Sequence, residues 1–188
     1  MNFRLGRRHL LIGLGGLAAD QASMARPSRN PAAIPSAYSM VAREAGVPPA
    51  VLYGVALQES SLLFSLAGER RSLPWPWTLN VAGSPARLAT RSQAEERLRA
   101  ALRSGIRNVD VGPMQINWHY HEERLGSVRR ALDPYWNLRV GAELLAMHYA
   151  ASRDWHVAVG HYHAPSNIRR AARYAEQVFD RLGRLGHV

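Results

Sequence analysis

The 188-residue chain has no cysteine and no lysine, and only 14 acidic residues against 24 basic ones. Without cysteine, disulfides and thiolate metal sites are excluded. Without lysine, every basic residue is arginine, and the formal net charge is +10. That balance fits either a compositional bias or an anionic partner such as an acidic polymer, a membrane surface or nucleic acid. The arginines are scattered rather than blocked, which argues against nucleic acid. The chain also lacks a Gly-rich phosphate loop and a GxSxG nucleophile elbow, so nucleophilic serine chemistry has no specific support. Internal repeats and low-complexity blocks are missing too.

What is present suits one domain preceded by a short extra segment. Hydrophobic residues make up 47% of the chain, enough for a real core. Residues 1–25 have a signal-peptide layout: Arg4, Arg7 and Arg8, a short apolar run from Leu10 to Ala19, then Ser23-Met24-Ala25. The run is too short and too Gly-rich to span a bilayer comfortably. The expected product is exported and periplasmic, with no stable membrane span once the signal is cleaved. Residues 26–35 read as a linker, and residues 36–188 as the folded domain.

Within the domain, Ser36 is placed to cap a first helix ending at Gly46, and Pro48-Pro49 to open a second running to about Glu59. Residues 64–90 lack helical period, and Thr78–Val81 is the best strand candidate. Ser92 and Glu95 form a candidate capping box for a helix stopped by Gly105. "VDVGPMQINWHYH" then reads as extended or loop structure. Asn137 is placed to cap the next helix, and further helices start near Asp154 and Ser166. The expected class is mainly α, an α+β arrangement with a small irregular β region.

Glu59 ends the apolar helix "VLYGVALQES". The macrodipole disfavours a carboxylate there, and burial raises its pKa, which suits a general acid. A solvated Glu at a frayed helix end is the alternative. The spacings His119-x-His121 and His161-x-His163, with Asp110 and Glu122 nearby, raise zinc. Against it, "HEERL" puts Leu125 where HExxH needs its second His, so no metal is assigned. Trp75, Trp77, Trp118 and Tyr120 suit either sugar stacking or core packing.

Taken in order, "ALQES", "GPMQIN", "NLRVGAELL" and "AVGHYHAP" resemble the soluble lytic transglycosylases, over about residues 36–182. The resemblance implies a lysozyme-like fold and a peptidoglycan lyase without a cofactor. Such enzymes cleave the β-1,4 bond between N-acetylmuramic acid and N-acetylglucosamine and leave a 1,6-anhydro product. It implies Glu59 as acid/base, with Ser60, Gly112, Met114, Gln115, Asn117, Trp118, Tyr162 and His163 at the glycan. Tyr162 matches a family tyrosine that hydrogen-bonds near the carboxyl, and Tyr174 the tyrosine of the closing helix. Pro113 and His163 depart from the family pattern. Glu59 and Gly112 lie unusually far apart, so residues 65–108 look like an insertion. This spacing and "YHAP" resemble the branch attached to conjugation, pilus and secretion machines, making such an envelope-spanning complex a candidate partner. Two alternatives stay open. One is a lysozyme-type hydrolase using a second carboxylate, Asp110 or Glu69. The other is a non-catalytic peptidoglycan-binding component of such a machine.

Overall fold

A computed structural model describes residues 33–66 and 68–187. The expected signal peptide and residues 26–32 of the expected linker lie outside the described residues. The first two helices are α1 (Ser36–Glu44) and α2 (Pro49–Ser60). Ser36 is the first helical residue of α1 rather than its cap; Pro35 holds that position without a side-chain bond. In α2, Pro49 opens the first turn, where its missing N–H costs nothing. Val51, Leu52, Tyr53, Val55, Ala56 and Leu57 are all buried, so α2 is apolar all round rather than on one face. A helix of that kind belongs in the middle of the molecule. It packs on α1 and on three later helices, α6 (Pro134–Ser152), α7 (Trp155–His163) and α8 (Ile168–Arg184).

The chain leaves α2 directly into a two-stranded hairpin, β1 (Ser61–Leu66) and β2 (Glu69–Pro74). Strands β3 (Thr78–Val81), β4 (Ser84–Arg87), β5 (Val109–Val111) and β6 (Ile116–Asn117) form an antiparallel sheet in the order β4-β3-β5-β6. The strand expected at Thr78–Val81 is there. The β3–β5 register pairs Leu79 with Val111, Asn80 with Asp110 and Val81 with Val109. Side chains alternate faces along a strand. Leu79, Val81, Val109 and Val111 therefore enter the core, and Asn80 and Asp110 share the opposite face. Segment 65–108 thus supplies β3 and β4, half of this sheet, and is built into the domain.

Between β4 and β5 runs α3 (Arg91–Arg103). Its capping box is Thr90 with Gln93, two residues before the expected pair. Glu95 is already one turn inside the helix, where it pairs with Arg91 and Arg99. After β6 the chain turns helical at once, in α4 (Trp118–Leu125), with the Asn117 side chain accepting from the His119 N–H. Trp118–Tyr120 are therefore helical, not loop, and the helix kinks at His121, whose φ is −130° and ψ 23°. A short α5 (Val128–Ala131) leads to α6.

The expected cap of α6 is also displaced. Asp133 caps it by accepting from the Trp136 N–H, Pro134 fills the first turn, and Asn137 is wholly buried inside. Asp154 and Asn167 cap α7 and α8. The fold is mainly α and lysozyme-like, with helices around α2 and a small sheet on one flank.

Candidate active site

A cleft of about 860 Å³ runs between the sheet and the helices α4, α6 and α7. Glu59 stands in its wall with only 16% of its side chain exposed. Tyr174, on α8, donates its O–H to Glu59 Oε1 at 2.5 Å. The pKa of Glu59 is raised to about 7. Burial is the main cause, the Tyr174 hydrogen bond opposes it, and the charge of Asp110 adds to it. The phenols of Tyr174 and Tyr162 are pushed well above their ordinary value, chiefly by burial, so both stay protonated donors.

His163 also lines the cleft. Its Nδ1 lies 4.0 Å from Glu59 Oε1, beyond hydrogen-bond reach. Its ring stacks on Tyr174 at 4.4 Å between centroids, with planes 2° apart. Burial and the Arg170 charge lower its pKa, which favours neutral imidazole.

The segment "GPMQIN" is fixed from several directions. The Ser60 hydroxyl is within hydrogen-bond distance of both the Pro113 carbonyl, at 2.8 Å, and the Ala56 carbonyl. Tyr162 donates to the Met114 carbonyl at 2.6 Å, and not to Glu59; Tyr174 makes that bond instead. The Asn137 amide accepts from the Met114 N–H at 2.9 Å and donates to the carbonyls of Val111 and Ala131. Gly112 has φ of +79°, and a Cβ there would lie 2.6 Å from the Asn137 amide. Its lack of a side chain is thus needed for contact with Asn137, whereas the resemblance placed Gly112 at the glycan. Met114 seats on Gly141 in the same way, where a Cβ would meet it at 2.7 Å.

These contacts sort the residues expected at the glycan. Glu59, Gln115, Asn117, Tyr162 and His163 line the cleft. Ser60, Met114 and Trp118 are buried and back the wall instead of facing it. Gln115, held at φ of +47°, uses its amide to bond the carbonyls of Thr78 and Gly112. Asn117 donates to Asp110 Oδ1 at 2.8 Å, and Asn80 donates to Asp110 Oδ2 at 3.1 Å. Trp75 and Trp77 do not line the cleft; they pack edge to face, and the Trp75 N–H bonds the Leu88 carbonyl. Tyr120 lines the cleft and is highly exposed. Among the described residues, no His, Asp or Glu cluster is arranged to hold a metal ion.

Sequence reasoning missed Asn80, whose place follows only from the strand register. It read Asn137 as a cap, because an Asn before an apolar periodic run carries that signal whether or not it is buried.

A family model described as the transglycosylase SLT domain matches residues 36–181. No curated protein and no solved structure gives a significant match. The match takes in the helix that carries Glu59, the sheet, the cleft and the tyrosine of α8, and on that span the chain belongs to the transglycosylase SLT family and is a lytic transglycosylase of peptidoglycan.

Proposed function

We propose that Glu59 is the only acid/base of this enzyme, cleaving the β-1,4 bond between N-acetylmuramic acid and N-acetylglucosamine. The observation that carries the reading is a carboxyl in the cleft wall whose pKa is raised to about 7. At neutral pH a large fraction of it is protonated, as a general acid requires. Oε1 is taken by the Tyr174 hydroxyl, so the transferable proton belongs on Oε2.

In the first step that proton goes to the glycosidic oxygen, the C1–O bond breaks, and the N-acetylglucosamine end leaves with a free 4-hydroxyl. In the second, the Glu59 carboxylate takes the proton of the muramyl 6-hydroxyl as O6 bonds to C1. A 1,6-anhydro ring forms, Glu59 is protonated again, and no water is consumed. Gln115, Asn117, Tyr162 and His163 would position the glycan, and Tyr120 offers a ring for a sugar to stack on. Ser60, Gly112, Met114 and Trp118 would act by fixing the wall behind it.

Asp110 supports a second reading, a lysozyme-type hydrolysis, since it lines the same cleft and its charge reaches Glu59. Two amides already occupy its oxygens, which suits a fixed electrostatic role better than a nucleophile. Mass spectrometry of products from purified sacculi separates the two. Anhydro ends, lighter by one water than reducing ends, are expected; reducing ends alone would sink the lyase reading.

We also read the enzyme as exported to the periplasm and as opening the wall locally for a conjugation, pilus or secretion complex. The signal-like residues 1–25, the 65–108 segment and "YHAP" support this. Among the described residues no helix is long and apolar enough to cross a membrane. A strain carrying Glu59→Gln should lose transfer, piliation or secretion while growing normally. Normal performance in all three would remove the machine from the reading.

A further inference from the structure

Glu59 and His163 line two cavities. The first is the cleft. The second, about 260 Å³, lies between the end of α2 and α8 and is also lined by Gln58, Arg170, Arg173 and Gln177. Tyr174 lines it too, and the assigned chemistry uses none of Gln58, Arg170, Arg173 and Gln177. Gln58 donates to Gln177 Oε1 at 3.1 Å, which joins the two amides along its wall. Among the described residues, neither the Arg170 nor the Arg173 guanidinium is ion-paired to an acid.

Helix position adds to this positive potential. The first turn of α8 has no acidic residue and includes Arg169 and Arg170, where the macrodipole disfavours cations. The Arg170 charge is felt at His163, which places it close to the reacting carboxyl. Two guanidiniums beside two amides form a donor-rich pocket suited to a carboxylate on an amide-bearing chain.

We infer that this second cavity binds the anionic substituent on C3 of the muramyl residue next to the scissile bond, with Arg170 and Arg173 on its carboxylate. This rests on the proposed glycan cleavage at Glu59. In wall carrying its peptides, the carboxylate comes from the stem peptide. In wall stripped of peptide, it is the lactyl acid itself. Arg170 and Arg173 are then specificity-determining residues: they select muramyl chains by charge while the cleft holds the sugar rings.

The test measures binding to the catalytically disabled Glu59→Gln protein by calorimetry. Three tetrasaccharides of alternating N-acetylglucosamine and N-acetylmuramic acid are compared, carrying a lactyl free acid, a lactyl methylamide, or a lactyl-linked dipeptide ending in glutamate. The charged ligands should bind about tenfold or more tightly than the methylamide, with a gap that narrows as salt rises. In an Arg170→Ala/Arg173→Ala background the gap should close. The tighter of the two charged ligands identifies which carboxylate the pocket takes. A methylamide that binds as well as both acids, or a gap that survives loss of both arginines, overturns the inference. Product analysis with the unmutated enzyme is run in parallel. Absence of anhydro ends there counts against the Glu59 chemistry, and the binding comparison still decides the pocket.

Discussion

Tyr174 and Glu59 are 115 residues apart in sequence and share a hydrogen bond of 2.5 Å. The phenol lowers the carboxyl pKa while burial raises it, and burial wins. Tyr174→Phe removes only the opposing contribution, so the Glu59 pKa should climb further. In the proposed chemistry the alkaline limb of kcat/KM is set by loss of the Glu59 proton, and it should move above about 7. Stability should fall by about 1 kcal/mol, the usual worth of one partly buried hydrogen bond. A limb that stays fixed or moves to lower pH would show that the phenol does not tune the acid.

Glu59→Gln should abolish cleavage and alter stability in a pH-dependent way. The folded pKa of about 7 lies above the ordinary 4.5, so protonated Glu59 favours the fold fully below pH 4.5. That contribution is lost as pH rises through about 7. Glutamine does not ionise, so the variant should gain on the unmutated protein between pH 4.5 and pH 8. The gain is on the order of 2–3 kcal/mol. Urea denaturation at both pH values measures it, and an equal difference at each would mean the carboxyl is not perturbed by folding.

Asp110→Asn takes away a charge that raises the Glu59 pKa. The alkaline limb should shift to lower pH, opposite to the Tyr174→Phe shift. Anhydro products should persist, because the proposed acid, Glu59, is intact. Retained activity yielding only reducing ends, or total loss of activity in a folded protein, would make Asp110 a participant in the chemistry.

Asn137→Ala should cost about 3 kcal/mol, since three buried backbone groups lose their partner. Cleavage should fall along with stability, because the Met114–Gln115 wall loses its main anchor. Denaturant titration beside activity at low temperature checks both. A loss below 1 kcal/mol would mean water replaces the amide readily.

Much of the frame was readable in advance. Local signals placed α2, α7 and α8 to within a residue or two, and the lack of helical period around Thr78–Val81 left room for β3. Glu59 stood out through its position at the end of an apolar helix. The errors share one cause. Ser36, Ser92 and Asn137 each have the chemistry of a helix cap, and a better-placed neighbour or a buried partner decided otherwise. Trp75 and Trp118 carry the same ambiguity, since a tryptophan that fills a core looks in sequence like one that faces a sugar. Arg170 and Arg173 resemble ordinary solvated arginines until α8 is laid beside the end of α2.

The Tyr174–Glu59 contact also has a kinetic meaning. Pairing residues this far apart requires closing a long loop, one of the slower events in folding. In the unfolded chain Glu59 is an ordinary carboxyl with a pKa near 4.5, ionised at neutral pH and a poor acid. Its proton affinity is a property of the finished tertiary structure. An unfolded chain carries every residue of the site but not the raised proton affinity, which arrives only with the burial that folding brings.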